Sequence, residues 1–404
     1  MTLVKLLTAI CLLLSLSATA QFKPAETIRI DSKYFHDQRD ITVLLPQGYE
    51  SAPGRTYKVV YLFDAQNSTF TNTLMAVGNY LSTFSSTFIS PYIIVGIKTK
   101  NRQYEFLPEN HTQQPYRDYF PKVKLGGADT LLAFLQKEVI PEVNKRFRTN
   151  HYNVAIGHSL GATFAIYSLM HAPQLFNAVI AISPNLYYDE EQLLKAWKHR
   201  WSTLSLNRKM LYVMYSQEGK LESRFFPANE KLRAFLAKNR KPGFHSKVEY
   251  LPDTDHGLTP LMGIPRGLME LNRQLVIDET VEGFYAKDDP QFLEKLKQFY
   301  AQQSEKTGLR LPTAEDINHI AYNLANSGKI AEAIRVAAWA VALYPQDANA
   351  FDTQGELLQR DKQPTAAKAA YQQGLQLVER QRDLLDTATH NSLKRGFERR
   401  LSAL

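Results

Sequence analysis

Ser159 stands in Gly157-His158-Ser159-Leu160-Gly161, a G-x-S-x-G pattern. The apolar run Tyr152 to Ile156 precedes it and the run Thr163 to Met170 follows it, suiting a buried strand and a helix. The flanking glycines remove Cβ atoms where strand and helix must pass closely, so the serine can hold a strained turn with its hydroxyl above the sheet. A helix N-terminus beneath it would turn unpaired N–H groups toward an oxyanion. By itself the pattern fits an ordinary glycine-flanked turn as well; its strand–turn–helix context points to a nucleophile elbow.

A serine hydroxyl is a weak nucleophile at neutral pH and needs a base within reach and an acid to orient that base. On an elbow of this kind the chain order is nucleophile, acid, base. Of the ten histidines, His256 follows the last apolar strand and precedes Gly257, which makes it the expected base. His158 is expected to point away from the reaction and tune the elbow. The acid is expected beyond the strand Met210–Tyr215, where Glu218 is preferred to Glu222 because it lies nearer the strand's end. Asp253 and Asp255 are too near His256 in sequence and read as residues that shape its loop. The N–H of Leu160 and the loop Ala65-Gln66 are the expected oxyanion donors. No H-E-x-x-H, paired Asp/His cluster, phosphate-binding loop or dinucleotide fingerprint occurs, so neither a metal nor a cofactor is expected.

The elements that must position these residues alternate. Ile28 to Ser32 and Arg39 to Leu45 read as two strands around a polar turn. Tyr57 to Phe63, Tyr92 to Ile97, the elbow strand, Leu175 to Pro184 and Met210 to Tyr215 are apolar runs, and Val248 to Leu251 reads as the last central strand. Asp129 to Phe147 has helical spacing. Strands alternating with helices predict a mostly parallel, doubly wound α/β sheet with ligands at the C-terminal strand edge. Glu109 to Lys124 lacks periodicity and is expected to form a long loop over the site.

With 404 residues, two or three domains are expected. Lys5, the apolar run Leu6 to Leu16 and Ser17-Ala18-Thr19-Ala20 read as a signal peptide over residues 1–20, cleaved after Ala20, which implies a periplasmic or secreted protein without a stable membrane anchor. The single cysteine, Cys11, falls inside that leader, so thiol and disulfide chemistry are excluded from the mature chain. The net charge of +8 is modest and spread without blocks, which suits a solvated basic face; no nucleic-acid partner is expected.

The hydrolytic unit is expected over residues 21–281 and a helical linker over 282–312. Beyond it, Ala321, Leu324 and Ala333 recur 34 residues on as Gly355, Leu358 and Ala367, the tetratricopeptide period with small residues where helices approach. A generic helical hairpin would also place small residues there. Two repeats over 313–381 and a capping helix over 382–404 are expected, as a surface for a protein partner.

Tyr61-Leu62-Phe63-Asp64-Ala65, Val95-Gly96-Ile97 with Asn101-Arg102 and Leu107-Pro108, Gly126-Gly127-Ala128-Asp129, the Ser159 motif, Ile182-Ser183-Pro184 and Asp255-His256-Gly257 together resemble the putative esterase family of α/β hydrolases. That family includes ferric enterobactin and related periplasmic siderophore esterases, S-formylglutathione hydrolases and feruloyl or acetylxylan esterases. The resemblance spans roughly residues 25 to 275 and is closest to the siderophore esterase branch around Arg102; the helical tail also resembles one found after the esterase domain in bacterial members. Two departures stand out: Asp64-Ala65 replaces the family's Asp-Gly, and Asn185-Leu186-Tyr187-Tyr188 replaces its Ser-Leu-Trp-Trp. Tyr187 and Tyr188 line an aromatic pocket or pack, and Arg102 holds an anionic substrate group or a structural ion pair. The resemblance implies a serine carboxylesterase acting on a small-molecule ester. The same triad would serve acyl transfer, and a vestigial hydrolase carrying a binding tail is the other alternative.

Overall fold

The computed structural model describes residues 22–83, 90–112, 124–275, 283 and 289–404. The expected signal peptide lies outside the described residues, as does most of the expected loop Glu109 to Lys124. Eight strands form one sheet: β1 (Phe22–Ser32), β2 (Asp37–Pro46), β3 (Tyr57–Phe63), β4 (Tyr92–Ile97), β5 (Thr149–His158), β6 (Ala178–Ile182), β7 (Lys209–Tyr215) and β8 (Phe244–Tyr250). Their order is β1-β2-β4-β3-β5-β6-β7-β8; the pairings of β2 with β1 and β4 are antiparallel and the rest parallel. This is the mostly parallel α/β sheet that the alternation of runs predicts, in the α/β-hydrolase form that the family resemblance implies.

Every residue of β3, β4 and β6 is buried, because helices cover both faces, and such strands therefore read as unbroken apolar runs. The β8 residues are only partly covered, since β8 is an edge strand and not the last central one. Ahead of β5 run α1 (Ser68–Thr83), α2 (Arg102–Phe106), α3 (Ala128–Phe134), a π-helical turn (Leu135–Val139) and α4 (Ile140–Arg146). Pro141 opens α4, where its missing N–H leaves no intrahelical bond at that position. After β5 come α5 (Leu160–His171), α6 (Tyr188–Arg200), α7 (Gly219–Lys238) and α8 (Thr259–Leu275).

Alternate residues of the strands feed opposite cores. Val59, Tyr61 and Phe63 pack with Leu131, Phe164, Leu193, Trp197 and Leu232 from α3 and α5 to α7. Val60 and Leu62 pack on the other face with Leu74 of α1 and Ile264 and Leu268 of α8. That second core runs on without a break into the C-terminal helices.

Those helices are α9 (Phe292–Thr307), α10 (Ala314–Asn326), α11 (Ile330–Leu343), α12 (Ala348–Arg360), α13 (Pro364–Arg380) and α14 (Thr387–Ser402). The segment expected as a linker contributes Phe292, Leu296 and Tyr300 of α9 to the second core. The α12 and α13 starts each fall 34 residues after those of α10 and α11. Tyr371 of α13 covers Gly355 of α12 so closely that a Cβ on Gly355 would lie 2.4 Å from the ring, which explains the small residue. The turn between β2 and β3 touches the tail: Arg55 pairs with Glu315 and, at 2.7 Å, with Asp347.

Candidate active site

The elbow is built by close approach. A Cβ on Gly157 would lie 2.4 Å from the carbonyl carbon and oxygen of Gly161, so glycine is what lets β5 cross the first turn of α5. Between them Ser159 takes φ 58° and ψ −116°, a strained conformation held because its N–H donates to Ile182 O at 2.9 Å and its C=O accepts from Thr163 N at 3.0 Å. The first-turn N–H groups of α5, Leu160 included, have no intrahelical acceptor and face the serine.

Ser159 and His256 line one cavity of about 680 Å³ at the C-terminal edge of the parallel strands. His256 Nδ1 lies 2.6 Å from Glu222 Oε1, and the other oxygen of Glu222 accepts the Ser216 N–H at 3.0 Å. Glu222 is fully buried in the first turn of α7. Phe225, one turn further, meets the His256 ring edge-on at 5.6 Å.

The acid preferred from sequence, Glu218, is displaced by this geometry. It is exposed in extended backbone at the α7 N-cap, where it forms a β-bridge with Asp255. Gly219, at φ 81°, turns the chain after it, and Cβ atoms in α7 tilt toward the helix start, so the carboxylate one turn in reaches back to the imidazole. A signal for this was present: Glu222, Phe225, Ala228, Leu232 and Leu236 occupy one buried helical stripe, and a carboxylate on such a stripe needs a partner.

The oxyanion loop is corrected too. Ala65 donates its N–H to Ile97 O at 3.1 Å and is spoken for, whereas the Gln66 N–H has no acceptor among the described residues and Gln66 lines the cavity. Arg102 makes the ion pair while also lining the cavity: its Nε and Nη2 grip both oxygens of the buried Asp64 at 2.6 and 2.8 Å. Asp64 also accepts from the Gln66 side chain at 2.8 Å, so Arg102 braces the loop carrying the free donor.

His158 does not turn away, as expected from sequence. It lines the cavity, its ring centroid 4.4 Å from that of His256 and 5.5 Å from that of Phe70. Burial, then the neighbouring His256 and Arg102, hold its imidazole well below the usual histidine range, which keeps it neutral beside the base. Tyr187 and Tyr188 both line the cavity, and the Tyr188 hydroxyl donates to Pro108 O at 2.9 Å. Asp189, which sequence reasoning missed, is buried with φ 51° and accepts from the N–H groups of His111 and Thr112, clasping the chain after α2 to the start of α6. Among the described residues no group of histidines, cysteines and carboxylates could hold a metal ion, and no helix is long and apolar enough to cross a membrane.

The model of the family described as Putative esterase matches residues 32–259, more than half of the chain. The chain belongs to this esterase family. Its sequence is similar to that of the ferri-bacillibactin esterase BesA of Bacillus subtilis, 26% identical over 49% of this chain and 71% of the relative. It is also similar to the siderophore triacetylfusarinine C esterase of Aspergillus fumigatus, 31% identical over 24% of this chain and 34% of that one. In fold, the esterase is similar to an IroE-like serine hydrolase from Shewanella oneidensis, with TM-score 0.65 and 23% identity over 76% of this chain and 95% of that one. An uncharacterised protein from Capnocytophaga ochracea has TM-score 0.59 at 14% identity, over 89% of this chain and 99% of that one. The enzyme is thus a carboxylic ester hydrolase by family, with an α/β-hydrolase fold.

Proposed function

We propose that the chain is an exported serine esterase that cleaves a siderophore-type ester through an acyl-enzyme on Ser159. The observation that carries this reading is the 2.6 Å contact of His256 Nδ1 with buried Glu222, in a cavity that His256 shares with Ser159. Glu222 fixes the tautomer in which Nδ1 is protonated, leaving Nε2 to take the Ser159 proton as Oγ attacks the ester carbonyl. The N–H groups of Leu160 and Gln66 receive the charge on the carbonyl oxygen. Collapse expels the alcohol with the proton from Nε2; a water, deprotonated by the same nitrogen, then releases the acid and frees the serine.

The siderophore reading rests on the relatives named as bacillibactin and fusarinine esterases. The sequence relatives that carry an activity in their names are esterases, which gives the acyltransferase and vestigial alternatives no support. Export rests on the leader over residues 1–20 and would be read from a mature N-terminus at Gln21. The 34-residue offset of the paired C-terminal helices supports two tetratricopeptide-like repeats and a cap. A protein partner would fit the cleft of about 640 Å³ lined by Asp352, Phe397 and Arg399.

The test is a substrate panel with a fluorophosphonate label. The wild type should take the label on Ser159 and hydrolyse p-nitrophenyl butyrate and an iron-bound trilactone, and Ser159→Ala should do neither. Turnover by Ser159→Ala equal to wild type refutes the acyl-enzyme, and a trilactone left intact while simple esters are cleaved refutes the siderophore substrate.

A further inference from the structure

A buried amide that finds no partner in its own chain is costly, and folded proteins keep few such groups without a reason. Asn185 is one: only 4% exposed, with its Oδ1 buried and without a hydrogen-bond partner among the described residues. Among the described residues with buried, unpartnered side-chain atoms, it alone belongs to the lining of the cavity that holds Ser159.

The backbone on both sides of Asn185 is pinned, so the residue keeps its place in the cavity wall. Ser183 N donates to Met214 O at 2.6 Å, and Pro184 O accepts from Leu186 N at 3.0 Å and from the buried Asn229 side chain at 3.1 Å. Three residues on, the Tyr188 hydroxyl is tied to Pro108 O. Two other polar groups of the cavity are committed, Asp64 to Arg102 and Asp189 to His111 and Thr112. Leu160, Phe70, Leu221 and Phe225 supply apolar wall. An all-carbon ligand filling this space would dry the Asn185 amide without pairing it, whereas a ligand that offers both a donor and an acceptor would satisfy it.

We infer that Asn185 is a specificity-determining residue of this esterase, and that its preferred substrates carry an amide or hydroxyl beside the scissile ester. The inference rests on the serine-esterase reading above and narrows it. A site built around a buried polar group rejects the analogue lacking the complementary group far more strongly than a greasy pocket rejects an extra methylene.

Two ester pairs test it, one for each side of the scissile bond. On the acyl side, p-nitrophenyl N-acetylglycinate is compared with p-nitrophenyl pentanoate; on the alcohol side, 2-acetamidoethyl butyrate with pentyl butyrate. In at least one pair the wild type should favour the amide member by about 10-fold or more in kcat/KM after correction for intrinsic reactivity against hydroxide. Asn185→Leu, of similar volume, should collapse that ratio toward one, and Asn185→Ser, which keeps a donor and an acceptor, should retain part of it. The ratio is read within each protein, so a general loss of activity does not enter it; should Asn185→Leu fail to fold, the wild-type ratios and Asn185→Ser carry the test. Ratios near one in both pairs for the wild type, or a preference that persists unchanged in the variants, overturns the inference while leaving the esterase reading intact. Hydrolysis of none of the four esters, with Ser159 unlabelled by fluorophosphonate, overturns both.

Discussion

Glu222 Oε1 and His256 Nδ1 are 2.6 Å apart although 34 residues separate them, and the carboxylate is fully buried at the start of α7 while Glu218, four residues earlier, is in solvent. In the proposed triad this pairing gives the acid's place to Glu222. Glu222→Gln keeps the volume but replaces an acceptor-only group with an amide that can present a donor to Nδ1 and favour the wrong tautomer. It should lower kcat/KM on p-nitrophenyl butyrate by about 10³- to 10⁴-fold. Glu218→Gln should stay within about twofold of wild type. The reverse order in a steady-state assay would return the role to Glu218.

The Gly157 and Gly161 contact makes a different prediction. In Gly157→Ala the new methyl would meet backbone at 2.4 Å, which no side-chain rotation relieves, so the elbow must open. Loss of soluble protein, or a fall in stability of about 3 kcal/mol or more in urea unfolding, is expected. Gly396 in α14 has nothing within 4 Å of its would-be Cβ, and Gly396→Ala should raise stability by about 0.5–1 kcal/mol through helix propensity. Equal effects of the two substitutions would remove the close crossing as the reason for Gly157.

Arg102 and Asp64 separate a bracing role from a binding one. Arg102→Lys loses the fork that grips both Asp64 oxygens and should let the Gln66 loop drift. The expected result is a fall in kcat of about 10-fold, alike for neutral and anionic esters, with little change in KM. A rise in KM confined to anionic esters would instead mean that Arg102 holds the substrate.

How far the sequence led can be judged from these same residues. The β3, β4 and β6 runs are apolar throughout because both sheet faces are covered, so their order and the serine turn were readable from pattern. The acid was not, since the choice between Glu218 and Glu222 depends on the extended backbone of Glu218 and a glycine at positive φ, which place the helix start past the first candidate. The oxyanion donor was equally hidden: whether Ala65 or Gln66 keeps a free N–H is decided by Ile97 O on a neighbouring strand, a long-range partner without a local mark. Asn185 was visible as a departure from the family pattern, but its missing partner exists only in three dimensions.

His158 gives a pH dependence. Its folded pKa is held down by burial and by His256, while in the unfolded chain it returns to about 6.5. Below that value the unfolded state binds a proton that the folded state refuses, so stability falls as pH drops from 6.5 toward the lowered folded pKa. The loss can reach at most about 1.4 kcal/mol per pH unit over that window. Urea midpoints between pH 7.5 and 5 should decline less in His158→Gln than in wild type. Identical slopes would mean that His158 is as easily protonated folded as unfolded.

Arg55 tests whether the helical tail is part of the folding unit. Its guanidinium joins Glu315 of α10 and Asp347 at the start of α12, and Gly54 beside it packs so closely on Gln346 that a Cβ there would lie 2.4 Å from the Gln346 carbonyl oxygen. Asp347 is 3% exposed, so Arg55→Met would leave a buried carboxylate without its cation, a loss of about 3 kcal/mol. The second core adds to this, because Leu268 of α8, Tyr300 of α9 and Ile317 of α10 share one apolar cluster with the sheet. Calorimetry of wild type should therefore give one cooperative transition, and Arg55→Met a single transition at lower temperature. Two transitions, with the tail melting apart from an unaltered hydrolase peak, would mean that the repeats fold as a separate body and that the Arg55 contact does not couple them.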